Sequence, residues 1–198
     1  FLAGYTPSAL EFMERDALEW SMRYVQSTGI QLPDDIAAHL LIEVDGNHMD
    51  ELYRDAEAIS QIVQRYDIGE VLFADSHEQK QMLWTLRRKV GEAVKSNSIY
   101  KEEDTVVPRA ELPELLQIIK ALGVEYGFKS VCYGHAGDGN LHVNIVKGEM
   151  TDDDWKNKLP LGIRKLFKEV VRMGGTISGE HGIGLVQKDY MDIAFDQV

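Results

Sequence analysis

Along the chain, stretches whose apolar residues recur every three or four positions give way to stretches where they alternate or run together. Ser8 and Glu11 have capping-box spacing. Leu10, Met13, Leu18, Met22 and Val25 follow as a buried stripe, predicting a first helix up to Gly29. The β-rich run AHLLIEVDG (38–46) reads as a strand stopped by a turn signal. Residues 50–65 read as a helix and EVLFAD (70–75) as a short strand. Met82, Leu83, Leu86 and Val90 place a helix over 78–94, and DTVVP (104–108) is a short extended piece ending at proline. Pro113 suits the first turn of a helix reaching Tyr126 and closed by Gly127. Two strands follow, 129–133 and 141–146, around an Asp-Gly-Asn turn. The acid-rich TDDDW (151–155) suits the positive end of a helix through Met173, terminated by Gly174 and Gly175. TISGEHGIG (176–184) is too rich in glycine for either regular element. Four or five strands with helices between or beside them predict an α+β domain, a ferredoxin-like antiparallel sheet with helices packed on it.

Composition narrows the function classes. The chain has 198 residues, 44% hydrophobic and 27% charged, enough for one domain with a real core. Its formal net charge of −12 argues against nucleic acid, because a phosphate-reading surface needs a basic excess. No apolar run approaches the ~18–20 residues of a membrane-spanning helix. The single cysteine, Cys132, excludes an internal disulfide and any cysteine-based zinc cluster, and it reads as a small buried thiol in an apolar strand. This cysteine usage fits a cytoplasmic location, with attachment at a membrane through a partner left open. The chain opens in FLAGYTPSALEF without an initiator methionine and closes abruptly in DIAFDQV, so a piece of a longer protein is expected.

The candidate chemistry lies in YGHAGDGNLHVN (133–144). With Asp138-Gly139 at the centre of a two-residue hairpin turn, His135 stands opposite His142, and Tyr133 and Asn144 share their face. Opposed β-carbons roughly 4.5–5.5 Å apart allow two imidazoles to reach one ion. Two histidines alone do not make a site, and a carboxylate is the usual complement. Asp138 and Glu149 are near in sequence, but the turn itself explains Asp138. The stretch GEHGIG (179–184) places Glu180 and His181 side by side in a loop that can approach a ligand closely. Neither glycine-rich stretch has the strand-turn-helix context of a nucleotide loop, and no Gly-Lys-Ser/Thr occurs.

YGHAGDGNLHVNIV followed by GGTISGEHGIGLVQKDYM resembles the C-terminal domain of FAD-linked 2-hydroxyacid dehydrogenases and oxidases. That family includes the glycolate oxidase flavin subunit, cytochrome-type D-lactate dehydrogenases and D-2-hydroxyglutarate dehydrogenases. PSALEFMER, LWTLRRKVGEAV and YKEEDTVVPRAELPELL resemble it as well, so the likeness covers nearly the whole chain. It implies that residues 1–198 are the cap that binds substrate and metal in a two-domain flavoprotein. The N-terminal FAD-binding domain and the family's final helix and Asn-Pro-Gly stretch do not occur in this sequence. Carried over by position, the resemblance implies His135, His142 and Glu180 as ligands of a divalent ion such as zinc, and His181 as the catalytic base. Arg87, Lys101 and Asn144 match positions that hold the substrate's carboxylate and oxygens. Some members carry a hydroxyl residue one helical turn after the arginine. Gly91 stands there in this chain, which disfavours a dicarboxylate and leaves a smaller acid such as glycolate or D-lactate.

The implied partners are a small 2-hydroxy acid, the protein's own FAD-binding domain and an electron acceptor the sequence does not name, with oligomerisation open. Such a reaction removes a hydride, which FAD takes, and a hydroxyl proton, for which an imidazole of ordinary pKa about 6.5 is suited. A lone domain of this kind is expected to be inactive. Two other readings use the same residues. One is a stand-alone metal-dependent hydrolase or lyase built on His135, His142 and a carboxylate; the other is a metal-free binding module.

Overall fold

Alternation rather than helical spacing governs residues 9–14, and this decides where the sheet begins. In the computed structural model, which describes residues 1–26 and 30–195, these residues form strand β1 (Ala9–Glu14). Glu11 and Met13 turn to one face, while Phe12 packs on the other. Ser8 caps no helix; its amide and hydroxyl both bond the carbonyl of Glu43. The expected first helix therefore starts later, as α1 (Arg15–Val25), and turns out at Gln26 in the left-handed region, φ 53°. Gly29, its expected end, lies outside the described residues.

The remaining strands are β2 (Ala38–Glu43), β3 (Tyr100–Val106), β4 (Lys129–His135) and β5 (Asn140–Val146). They form one five-stranded sheet, ordered β2-β1-β4-β5-β3, with every neighbouring pair antiparallel. Helices α2 (Met49–Val63), α3 (His77–Asn97), α4 (Leu112–Tyr126) and α5 (Leu159–Arg172), with a last turn α6 (Met191–Ala194), complete the α+β domain. None of the described helices is long and apolar enough to cross a membrane.

Helices cover both faces of the sheet. On one, Cys132, Leu141, Val143 and Ile145 meet Leu115 and Ile119 of α4 and Ile163 and Phe167 of α5. On the other, Met13, Val131, Tyr133 and Val146 meet Leu18 of α1 and Leu86, Val90 and Val94 of α3. Proline in the first turn and Gly127 at φ 79° bound α4 as expected. Ser76 and Gln79 form the capping box that starts α3, one residue before the expected helix. Residues 70–75 form no strand. Leu72 and Phe73 are exposed there, because an apolar run becomes a strand only where a sheet edge receives its backbone. β3 instead begins four residues before the expected extended piece, so that an acidic run enters the sheet.

The register of the β4–β5 hairpin differs from the expected one by two residues. His142 pairs with Tyr133, not with His135, because the connection is Ala136–Gly139 rather than Asp138-Gly139 alone. A tight two-residue turn of the common kind needs positive φ at both centres. Here only Gly139 has it, at 79°. A β-carbon on Gly139 would meet the Val107 carbonyl oxygen at 1.9 Å, so the close approach requires glycine. A slip of two keeps every side chain on its face.

One acid in β3 lies in the core of the other face. Glu103 is fully buried, takes a hydrogen bond from Gln187 Nε2 (3.1 Å) and pairs with Lys101 Nζ (3.2 Å). Burial raises its pKa, and the Lys101 and Gln187 contacts offset this only in part. A carboxyl with a raised folded pKa lowers stability as pH rises through that value. Glu103→Gln is therefore expected to gain in stability on the native protein as pH rises above the ordinary carboxyl value of 4.5, between pH 5 and pH 8. Urea unfolding at both pH values measures this, and a native protein that gains on the variant contradicts it.

Candidate functional site: a histidine pair between two acidic strands

The sheet order decides what surrounds the two histidines. β4 carries His135 and β5 carries His142, and each strand has an acid-bearing strand on its outer side. Glu11 of β1 stands directly across from His135, and Asp104 of β3 directly across from His142. All four side chains share the face that α1 and α3 cover only in part. The 178–184 loop reaches the same cluster, its amides held by Asp104.

Each contact follows from that register. Glu11 Oε1 lies 2.8 Å from His135 Nδ1. Glu11 Oε2 accepts from Arg87 Nε (2.8 Å) and lies 2.7 Å from Nη2. Arg87 is buried, 7% exposed, and its guanidinium carbon lies 5.0 Å from the centre of the Tyr133 ring. Asp104 Oδ2 accepts three consecutive backbone amides, of Gly179 (3.0 Å), Glu180 (2.5 Å) and His181 (2.9 Å). Its Oδ1 accepts Asn140 Nδ2 at 2.6 Å. A β-carbon on Gly179 would meet Asn140 Nδ2 at 2.3 Å, so glycine lets the loop come this close. Burial alone would raise the Asp104 carboxyl, but the His181 amide, Asn140, the Glu180 amide and His142 together hold it below its ordinary value.

The anchored loop brings Glu180 and His181 to the histidine pair. Glu180 Oε2 lies 3.8 Å from His135 Nε2. The His181 ring stacks on His142, centres 5.2 Å apart and planes 26° apart. The His135 and His142 rings lie edge to face at 5.9 Å. One ligand atom each from His135, His142 and Glu180 falls within a 4.8 Å span, and so does one each from Glu102, His142 and His181. His142 is pushed down to about 4, first by burial and further by His181, Arg87 and His135, with Asp104 opposing. It is therefore neutral near pH 7, the form that donates a lone pair to a metal. Its Nδ1 is buried without a hydrogen-bond partner, 3.6 Å from Glu102 and 3.7 Å from Asp104.

The fit to a divalent ion can be judged from these donors. Two imidazoles and a carboxylate converge, a second carboxylate stands beside them, and one buried ring nitrogen has no partner. Nitrogen and oxygen donors of this kind suit zinc or a similar borderline ion. The donor set fits.

Of the residues singled out from sequence, His135, His142, Glu180 and His181 lie together, with Arg87 and Asn144 on the same sheet face. Asn144 is 1% exposed and its Nδ2 has no partner. Lys101 does not join them. It pairs across with Ile145, so strand alternation turns it to the opposite face, where it meets Glu103 and lies 5.6 Å from the Tyr190 ring centre. The space beside Gly91 is taken by Tyr133, whose hydroxyl would stand 3.0 Å from a β-carbon there. Burial and the Glu102 charge push that hydroxyl up to about 12, so it stays a proton donor. Glu11, Glu102 and Asp104 carry no signal in their own neighbourhoods, since each meets its histidine only through strand pairing. Cys132 is buried and burial raises its thiol pKa, as expected for an inert core residue.

Residues 2–198 match the family model described as FAD linked oxidases, C-terminal domain. The chain is 33% identical over 195 residues to a D-lactate dehydrogenase of Anaerostipes hadrus, covering 96% of this chain and 41% of that protein. It is 32% identical over 194 residues to the glycolate oxidase subunit GlcD of Bacillus subtilis, covering 96% and 40%. A D-2-hydroxyglutarate dehydrogenase of Stutzerimonas stutzeri is 36% identical over 124 residues, 61% of this chain and 26% of that protein. The chain thus spans about 40% of the length of the first two relatives. With a match across all but its first residue, it belongs to the C-terminal domain family of the FAD-linked oxidases.

Proposed function

We propose that this chain is the substrate-facing part of an FAD-dependent enzyme that oxidises a small 2-hydroxy acid, of the glycolate or D-lactate type, to the 2-oxo acid. An N-terminal FAD-binding domain would complete the enzyme. The observation that carries the reading is the convergence of His135, His142 and Glu180 within 4.8 Å, beside an accessible His181. The names of the similar proteins point to the same substrate class.

FAD, when bound, supplies the redox chemistry, since the chain's single thiol is buried and no other side chain here exchanges electron pairs. His135, His142 and Glu180 would hold a divalent ion, which would supply Lewis acidity toward the substrate hydroxyl. The chain's own residues do the rest. His181, on the exposed rim, takes the hydroxyl proton. Asn144 Nδ2, buried and unpartnered, donates to a substrate oxygen. Arg87 contributes positive charge beneath the site, already shared with Glu11. Lys101, on the opposite face, takes no part. The stand-alone hydrolase reading would use the same donors, but membership in an FAD-linked family favours oxidation. The metal-free binding module leaves the convergence of donors without a purpose.

Metal analysis tests the ion. Protein purified at neutral pH is expected to hold about one zinc-class ion per chain, and His135→Ala and His142→Ala are expected to lose most of it. Equal metal content in all three samples rules the site out.

A further inference from the structure

We propose that Glu11 is a positioning residue that fixes the tautomer of His135, and that Arg87 dictates how Glu11 is used. The inference deepens the reading above and concerns which nitrogen of His135 is free. Glu11 is buried, 5% exposed, and faces His135 because β1 and β4 pair at that position. Its Oε1 lies 2.8 Å from His135 Nδ1, and its Oε2 is held by Arg87 Nε at 2.8 Å. Arg87 is itself buried and stacked over Tyr133, so it has no freedom to leave.

The chemistry of the partners leaves one arrangement. A guanidinium only donates, and an ionised carboxylate only accepts. Arg87 occupies one oxygen of the Glu11 carboxylate, so the other oxygen is left to accept from Nδ1. His135 Nε2 is then left with its lone pair, pointing toward Glu180 Oε2 at 3.8 Å. Two acceptors facing each other at that distance have no proton between them, and a cation satisfies both. This is the carboxylate–histidine arrangement that orients metal-bound imidazoles, made here by residues far apart in the chain.

Glu11→Gln tests it sharply. The glutamine carbonyl must turn to the donor-only Arg87, which presents its amide NH₂ to Nδ1. His135 is thereby driven to the other tautomer, with its proton on Nε2. The readout is the 15N imidazole spectrum of the full chain at pH 8, treated with chelator, with His135 assigned by its loss in His135→Ala. The expected result is a protonated Nδ1 and a bare Nε2 in the native protein, and the reverse in Glu11→Gln. A bare Nδ1, or an imidazolium, in the native protein overturns the proposal whether or not the variant folds. So does a variant that keeps the native tautomer. Zinc titration of the same samples is expected to show 10–100-fold weaker binding by Glu11→Gln. A tautomer that switches while neither protein binds zinc upholds the role of Glu11 and defeats the ion reading instead.

Discussion

Replacing Asp104 with alanine is expected to destabilise the chain by about 2–4 kcal/mol and to release the amides of Glu180 and His181 into fast hydrogen exchange, while the Gly179 amide keeps its bond to the backbone carbonyl of residue 104 (3.1 Å). The carboxylate accepts four hydrogen bonds: the amides of Gly179, Glu180 and His181, and the side chain of Asn140. Bonds to a charged group contribute about 1.5–3 kcal/mol each, but those that share one acceptor do not add. The exposed rim of the loop can also recover water, which limits the loss. Asp104→Asn separates shape from charge. It retains one oxygen for the loop amides but sets an NH₂ against the NH₂ of Asn140, so an intermediate loss is expected. Since the Asp104 carboxyl is held below its ordinary value of 3.8, its contribution is complete above that pH and is lost only as pH falls through the depressed value. The difference in unfolding free energy between native and Asp104→Ala should therefore be flat from pH 8 to pH 5. Amides of Glu180 and His181 that stay protected in Asp104→Ala would show that something else holds the loop.

The site depends on this carboxylate because the loop has few other attachments to the sheet. Among the described residues, Val106 and Thr176 form an isolated bridge just before the loop, the Gly179 amide also bonds the Asp104 backbone carbonyl, and Gln187 bonds Glu103 just after the loop. Between them Glu180 and His181 stand where Asp104 puts their amides. Placement of two prospective functional groups thus reduces to one buried acid on a neighbouring strand.

What could be read from sequence divides along local and nonlocal lines. The limits of α4, the two hairpin strands and the glycine-rich loop follow from capping, alternation and glycine, all of which act over a few residues. The shared face of His135 and His142 also survives the two-residue error in register, because side-chain direction repeats every second residue. Their acidic backing was hidden. Glu11 lies 124 residues from His135 and, beside Ser8, imitates a helix cap. Asp104 belongs to an acidic run that in isolation reads as solvated surface, although Glu103 and Asp104 are 0% and 1% exposed. Lys101 lies apart from the cluster for a related reason. With β3 starting at Tyr100, alternation separates it from Glu102 and Asp104, and only the strand's true beginning reveals that.

His181→Ala is expected to lower kcat for glycolate or D-lactate by roughly 10²–10⁴ in the flavin-loaded enzyme, with a smaller change in KM. The residue sits on the exposed rim, its ring against His142, close enough to the donor cluster to reach a hydroxyl bound there. A base acts only in the transition state, so its loss should fall on the chemical step rather than on binding. Flavin bleaching in a single turnover isolates that step and should slow by the same factor. The geometry also admits a competing role, since His181 can combine with His142 and Glu102 as an ion-binding set. Metal content distinguishes the two. A base leaves the ion in place when removed, whereas a ligand takes much of it along. His181→Ala with full metal and slow bleaching identifies the base, and depleted metal identifies a ligand. Full metal with bleaching at the native rate leaves His181 with neither role, and the proton must then leave by another group.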